Sequence, residues 1–293
     1  MKPIRSFLKL AAVLAPLACV LGVAAGPAVA AEPSGEYAVF KECPLNNPAV
    51  SRCVYSLTKG GEVKIGSTAV PIKNPITLQG GVIVNEETGA ETFVNAANGE
   101  TLSKTPQPVP GGLLGLVKCN EISNTLERIA CEVVFQNKVT GVNATTELVG
   151  PVQISATALA VEEGTALELP VRIHLENPFL GSGCYIGSAS NPVTLSLTSG
   201  TTSPPPPNTP ISGSHGTLEF RNGGELIVIT GYSLVNNSFS VPKAEGCGGI
   251  FSFLIDPIID SKLGLPSAAG HNTAILNGNL ELASREGVEG SEK

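Results

Sequence analysis

Between Leu167 and Glu176 the chain alternates strictly. Leu167, Leu169, Val171, Ile173 and Leu175 are separated by Glu168, Pro170, Arg172 and His174. Successive side chains of an extended strand point to opposite faces, so this spacing dictates a strand with one buried and one wet face. Pro170 lacks an N–H for a ladder, which predicts a position at a sheet edge. Val193, Leu195 and Leu197 repeat the alternation against Thr194, Ser196 and Thr198, and Leu226–Ile229 is an unbroken apolar run suited to a buried strand. Further strands are expected over 53–58, 81–85, 132–139, 152–158, 217–221 and 273–282, and Gly-Gly pairs at 60–61, 80–81 and 223–224 read as turns. Helix signals are few. Asp256–Gly264 has an N-cap Asp, Pro257 in the first turn and Gly264 as a stop, and Ser123–Cys131 has Leu126, Ile129 and Ala130 on one face. The expected fold is all-β with one or two short helices, sandwich or barrel-like, in a chain of 293 residues with 33 Gly and 23 Pro to supply its turns.

The first 31 residues read as a secretory signal peptide: Lys2, Arg5 and Lys9, then apolar Leu10–Val23, then Ala28-Val29-Ala30. No later stretch is apolar over the ~18 residues a membrane helix needs. Cys19 raises a lipoprotein alternative, although Pro16 stands where such a site wants a Leu-like residue. Removing the signal leaves 15 basic against 25 acidic residues and moves the net charge from −7 to −10. That balance repels polyanions, and no basic run overrides it, so nucleic acid is not an expected partner. Residues 32–284 read as one mainly-β globular region and 285–293 as a flexible tail.

Six cysteines remain: Cys43, Cys53, Cys119, Cys131, Cys184 and Cys247. An even number in an exported chain reads as a disulfide framework with fifteen possible connectivities. Proximity favours Cys43–Cys53, Cys119–Cys131 and Cys184–Cys247. There is no Cys-x-x-Cys and no His beside any Cys, so no metal is expected.

Thr105–Pro110 and Pro204–Pro210 read as stiff extended loops, and the apolar Leu113–Leu116 as core. Cys53 with Ile65-Gly66-Ser67 and Asn74-Pro75-Ile76-Thr77-Leu78 is echoed by Cys184 with Ile186-Gly187-Ser188 and Asn191-Pro192-Val193-Thr194-Leu195. The echo has two readings, two related lobes at about 36–160 and 161–284 or a chance recurrence of strand-and-turn residues.

Several segments resemble uncharacterised exported proteins of high-GC actinobacteria: Gly183–Ser188, Thr202–Asn208 and Leu263–Thr273, with Glu42-Cys43-Pro44 and Ile76–Gly81. The resemblance implies export. It implies no activity, cofactor or site residue.

The chemistry-bearing residues point to no catalytic constellation. Asp256 and Asp260, at i and i+4, would share a helical face, but Asp256 reads as the N-cap and Asp260 as lying near the positive helix start. His174 sits on the wet face of its strand, which suits solvation or ion pairing, and His215 and His271 lie in turns. A Ser214–His271–Asp260 triad can be drawn, without the Gly-x-Ser-x-Gly elbow that would support it. Sugar surfaces favour flat exposed rings, Trp above all, and this chain has no Trp. The expected role is an exported, non-enzymatic binding or cell-envelope module with no cofactor and no catalytic residue. Its partner would be an apolar ligand, an envelope component or a protein. The alternatives are a secreted serine-type hydrolase and a surface-tethered lipoprotein carrying an apolar ligand. A closed internal cavity would favour an apolar ligand, and a solid core with an exposed apolar patch would favour an envelope or protein partner.

Overall fold

A computed structural model of the chain describes residues 32–112, 123–125, 128 and 141–292. The signal segment with Cys19, the strand expected over 132–139, most of the helix expected over 123–131, Leu113–Leu116 and the Cys119–Cys131 pair lie outside the described residues.

Among the described residues, fourteen strands build two antiparallel sheets of seven. The first holds β1 (Arg52–Ile65), β2 (Thr68–Pro71), β3 (Ile76–Val84), β4 (Glu91–Asn95), β11 (Thr217–Arg221), β12 (Leu226–Asn236) and β14 (Thr273–Ser284). Its order is β11-β12-β14-β1-β3-β4, with β2 folded back on β1. The second holds β5 (Gln107–Pro108), β6 (Asn143–Leu148), β7 (Gln153–Ile154), β8 (Leu167–Glu176), β9 (Tyr185–Ile186), β10 (Val193–Leu197) and β13 (Ala244–Glu245). Its order is β13-β9-β8-β6-β5, with β7 and β10 also on β8. Neither sheet closes into a barrel.

The alternation in β8 does what its spacing dictates: Leu167, Leu169, Val171, Ile173 and Leu175 are buried and the intervening residues half-exposed. Leu169, Val171, Leu195 and Leu197 of the second sheet belong to one hydrophobic core with Leu78, Ile229 and Leu234 of the first. Pro170 is not at an edge, however. β8 is the central strand, flanked by β6 and β7 on one side and by β9 and β10 on the other. The missing N–H is tolerated because β6 ends at Leu148 and β7 begins at Gln153, leaving a break in the ladder opposite Pro170. The Pro170 carbonyl still accepts from Val149 N–H at 3.0 Å.

A smaller core lies on the outer face of the first sheet, where Tyr37, Phe40 and Val50 pack with Leu226, Val228 and Val288. The short helices of the described fold include α1 (Ala156–Val161), α2 (Ser252–Leu263) and α3 (Arg285–Gly290).

Several expectations need correction. The stretch 152–158 is only partly a strand, because Ser155 caps α1 by accepting Ala158 N–H and the alanines that follow favour helix. The glycines at 60–61 and 80–81 are not turns but lie inside β1 and β3. A side chain at Gly61 would strike the Ile275 carbonyl and one at Gly80 the Phe93 ring, so close strand approach selects them.

The segment 285–293 is not a loose tail through its first turn and a half. Ser284 caps α3, Val288 is fully buried, and the Arg285 guanidinium donates to the Leu45, Asn47 and Val50 carbonyls. The two-lobe reading also fails. β1 and β3 pair directly, whereas β9 and β10 lie in line along one side of β8, so the echoed segments are not equivalent. Strands from both halves of the chain share the first sheet.

Candidate functional site

Among the described large apolar residues Ile250 has the highest fractional exposure, 85%, beside Phe251 at 56% and Phe253 at 71%. All ten residues from Gly246 to Ile255 are uncharged. Apolar side chains of this size normally leave water, so what holds them out is the first question.

The approach to the tip is fixed at several points. Cys247 is bonded to Cys184 and both are fully buried. Just before it, β13 pairs with β9, and just after it Gly248 N–H donates to the Leu180 carbonyl at 2.7 Å. Asp256 is not an N-cap of its own helix, because α2 begins at Ser252. Its carboxylate accepts Cys247 N–H at 2.8 Å and Gly246 N–H at 3.1 Å. One turn later Asp260 accepts Ala244 N–H at 2.8 Å. The expected shared face of the two carboxylates is real, and its work is to clamp the 244–247 backbone against α2. Burial pushes the Asp260 carboxyl up, and Asp256 nearby adds to this, against the Ala244 hydrogen bond and Lys243. Gly264 ends α2 in the left-handed conformation, as its position predicts.

The wet face of the second sheet carries a different cluster. Arg172 donates to Glu147 at 2.7 and 2.9 Å, and Lys104 lies 3.7 Å from the same carboxylate. The Arg172 guanidinium sits 4.0 Å over the Tyr185 ring, which in turn stacks on His174 at 4.5 Å. His174 Nδ1 is 3.6 Å from Glu176, and Glu176 accepts from Thr145 at 2.6 Å. His174 thus lies beside an acid on the half-exposed face of β8, the face its alternation predicts.

Burial acts upward on the Glu147 carboxyl. The Arg172 hydrogen bond and the charges of Lys104, Arg172 and His174 outweigh it, so the net direction is down. A carboxyl lowered in the folded state stabilises above its unfolded value and loses that contribution as pH falls through the folded value. Acidification should cost wild type more stability than it costs Glu147→Gln, measured by urea unfolding at neutral and acid pH. Equal losses in the two proteins would remove this cluster from the acid response.

The triad drawn from sequence is not assembled. Ser214 Oγ accepts Gly216 N–H, Asp260 is engaged by Ala244, and His271 is exposed in its turn. His215 lies 3.8 Å from Glu162. Among the described residues no hydrogen bond joins any two of Ser214, His271 and Asp260, and no group of three metal-binding side chains occurs.

Three concavities among the described residues bear on what the chain could hold. One of about 470 Å³ beside His174 and Glu176 is lined by Asn143 and Asn177 as well. A second of about 470 Å³ runs along β10, lined by Thr194, Ser196, Thr202, Ser238 and other uncharged groups. Its one aromatic, Phe239, is 5% exposed and offers no ring face to a sugar. The third lies in the core, lined by Val54, Leu78, Leu159, Leu234 and Leu280, and holds only about 60 Å³. An apolar cavity that takes up benzene measures about 150 Å³, so this one is too small for a hydrocarbon chain.

Both described cysteine pairs are bonded as proximity favours, Cys43–Cys53 and Cys184–Cys247, which fits an oxidising compartment. No described helix is long and apolar enough to cross a membrane. The apolar tip was missed in the sequence because 246–255 reads as a turn running into a helix. The available signal was Ile250, Phe251 and Phe253 without a charged residue among them. No protein-family model, curated protein or solved structure matches the chain.

Proposed function

We propose that the chain is exported and acts by binding rather than catalysis, docking Ile250, Phe251 and Phe253 onto an uncharged hydrocarbon surface of the cell envelope. The observation that carries this reading is the exposure of three large apolar side chains on a segment clamped by Cys184–Cys247 and Asp256. A collapsing loop would bury such residues. A clamped one presents them at no further ordering cost. The core cavity of about 60 Å³ weighs against a ligand carried inside. The absence of charge from 246 to 255 weighs against a protein partner that needs a polar rim. Export is supported by the order of charge, apolar run and small residues in 1–31, together with the disulfides.

Transferring the exposed parts of the three side chains to hydrocarbon contributes about 5 kcal/mol, which corresponds to half-binding at sub-millimolar lipid. Because the mature chain is acidic, anionic headgroups add nothing. In co-sedimentation with uncharged phosphatidylcholine vesicles, saturable binding insensitive to ionic strength is expected. Replacing Ile250, Phe251 and Phe253 together with Ser should abolish it without moving the urea midpoint. Binding by that triple variant at the wild-type level, or no binding by wild type, would overturn the reading.

A further inference from the structure

β11 ends the first sheet, and every residue in it except Arg221 is exposed. Its ladder to β12 alternates. Ser284 N–H donates to the Glu225 carbonyl, so residue 225 points toward β14, and Leu226, Val228 and Thr230 turn toward β11. Their partners Arg221, Glu219 and Thr217 complete that ladder. Leu218 and Phe220 therefore aim their N–H and C=O groups away from the sheet.

The side chains of the same two residues are apolar and stand out of the core, Leu218 47% and Phe220 64% exposed. They begin two apolar rows that run inward across the sheet, Phe220–Ile227–Leu282 and Leu218–Ile229–Leu280. The other face of the edge is acidic. Glu36 and Glu219 both engage Arg221, at 2.9 and 2.8 Å, and Glu281 lies two strands in, opposite Val228. Burial and Glu36 push the Glu281 carboxyl up against the pull of Arg221 and Lys59. Two carboxylates thus pair with one guanidinium, and a third, Glu281, lies behind them on the same face of the sheet.

An open edge normally carries a device that blocks pairing, such as a proline, a lysine or an inward charge. β11 has none of these, and its one cation is already neutralised by acids. The geometry points to β11 as a docking edge for an extended partner segment alternating apolar and basic residues. Such a segment adds one antiparallel strand, lays its apolar side chains on Leu218 and Phe220, and sets its Lys or Arg side chains against Glu36 and Glu219. A second copy of this chain fits less well, since it would bring a second acidic edge to the first.

The test uses the full mature chain and two capped peptides, Lys-Val-Lys-Val-Lys-Val-Lys and its Glu-Val counterpart, by calorimetry and backbone amide NMR. The basic peptide is expected to bind and shift the Leu218 and Phe220 amides, while the acidic peptide does not. Glu36→Gln with Glu219→Gln should weaken binding about fivefold and make it less salt-dependent. Phe220→Ser should weaken it about tenfold at unchanged salt dependence. Vesicle binding by the 250–253 tip should be untouched by all three substitutions, which separates this surface from that one. Equal binding of the acidic peptide, shifts confined to other strands, or a dimer by sedimentation with no peptide binding would overturn the assignment.

Discussion

Asn272→Asp is expected to lower stability by about 3–5 kcal/mol at neutral pH, a fall of about 10 °C in Tm. Asn272 is fully buried and joins three separate segments. Its Oδ1 accepts Gly66 N–H at 2.9 Å, from the turn after β1. Its Nδ2 donates to the Phe239 and Ala268 carbonyls at 2.9 and 3.1 Å. A carboxylate keeps the first bond and loses both others, leaving two carbonyls facing a buried charge. The size is nearly unchanged, so the loss is electrostatic rather than a packing defect. The sign of the pH effect follows from this. Burial raises the folded-state value of the new carboxyl above its unfolded one, so the deficit grows as pH rises through that window and shrinks in acid. Urea unfolding of both proteins at neutral pH and at pH about 5 reads the effect. A loss below about 1 kcal/mol, or one independent of pH, would show that the network relaxes around the substitution.

The second large effect belongs to the Cys184–Cys247 bond. Its partners are 63 residues apart, against 10 for Cys43–Cys53. On chain-entropy grounds the long loop contributes about 4 kcal/mol and the short one about 3 kcal/mol. Cys184→Ala with Cys247→Ala should therefore destabilise more than Cys43→Ala with Cys53→Ala, read as urea midpoints under oxidising conditions. The long pair has a second consequence. Without it the tip at 248–253 is held only by hydrogen bonds: those to the Asp256 and Asp260 carboxylates and the Leu180 carbonyl, and the pairing of β13 with β9. Vesicle binding should then weaken in that variant and stay intact in the other. The reverse order of stabilities, or equal vesicle binding, would mean that the bond does not position the tip.

What the chain discloses in advance follows the range of the interaction. The alternation in β8 and β10 is local, and both strands appear with the faces their spacing requires. Thr217–Arg221 was legible to the residue. Pro170 was not, because a central strand accepts it only where β6 and β7 leave a break, and that break is made by residues 149–152, some twenty positions away. The same holds for α3, whose stability comes from Arg285 reaching carbonyls more than 230 residues earlier in the chain. Asp256 looked like a cap because capping is the local use of such a residue. Its actual partners, Gly246 and Cys247, are brought to it by the disulfide and by the pairing of β13 with β9. The tip was illegible for a related reason. Its composition suits either a buried turn or an exposed one, and only the clamp decides between them.

The docking of that tip is tested most directly by placing a reporter in it. The chain contains no Trp, so Phe251→Trp introduces a single indole at a position already 56% exposed. Titrated with uncharged phosphatidylcholine vesicles, its fluorescence is expected to shift to the blue and to become protected from an aqueous quencher, at the same lipid concentration that half-saturates co-sedimentation. A Phe220→Trp control on β11 should show neither change. An indole at 251 that stays red and fully quenchable at saturating lipid would contradict the proposed docking.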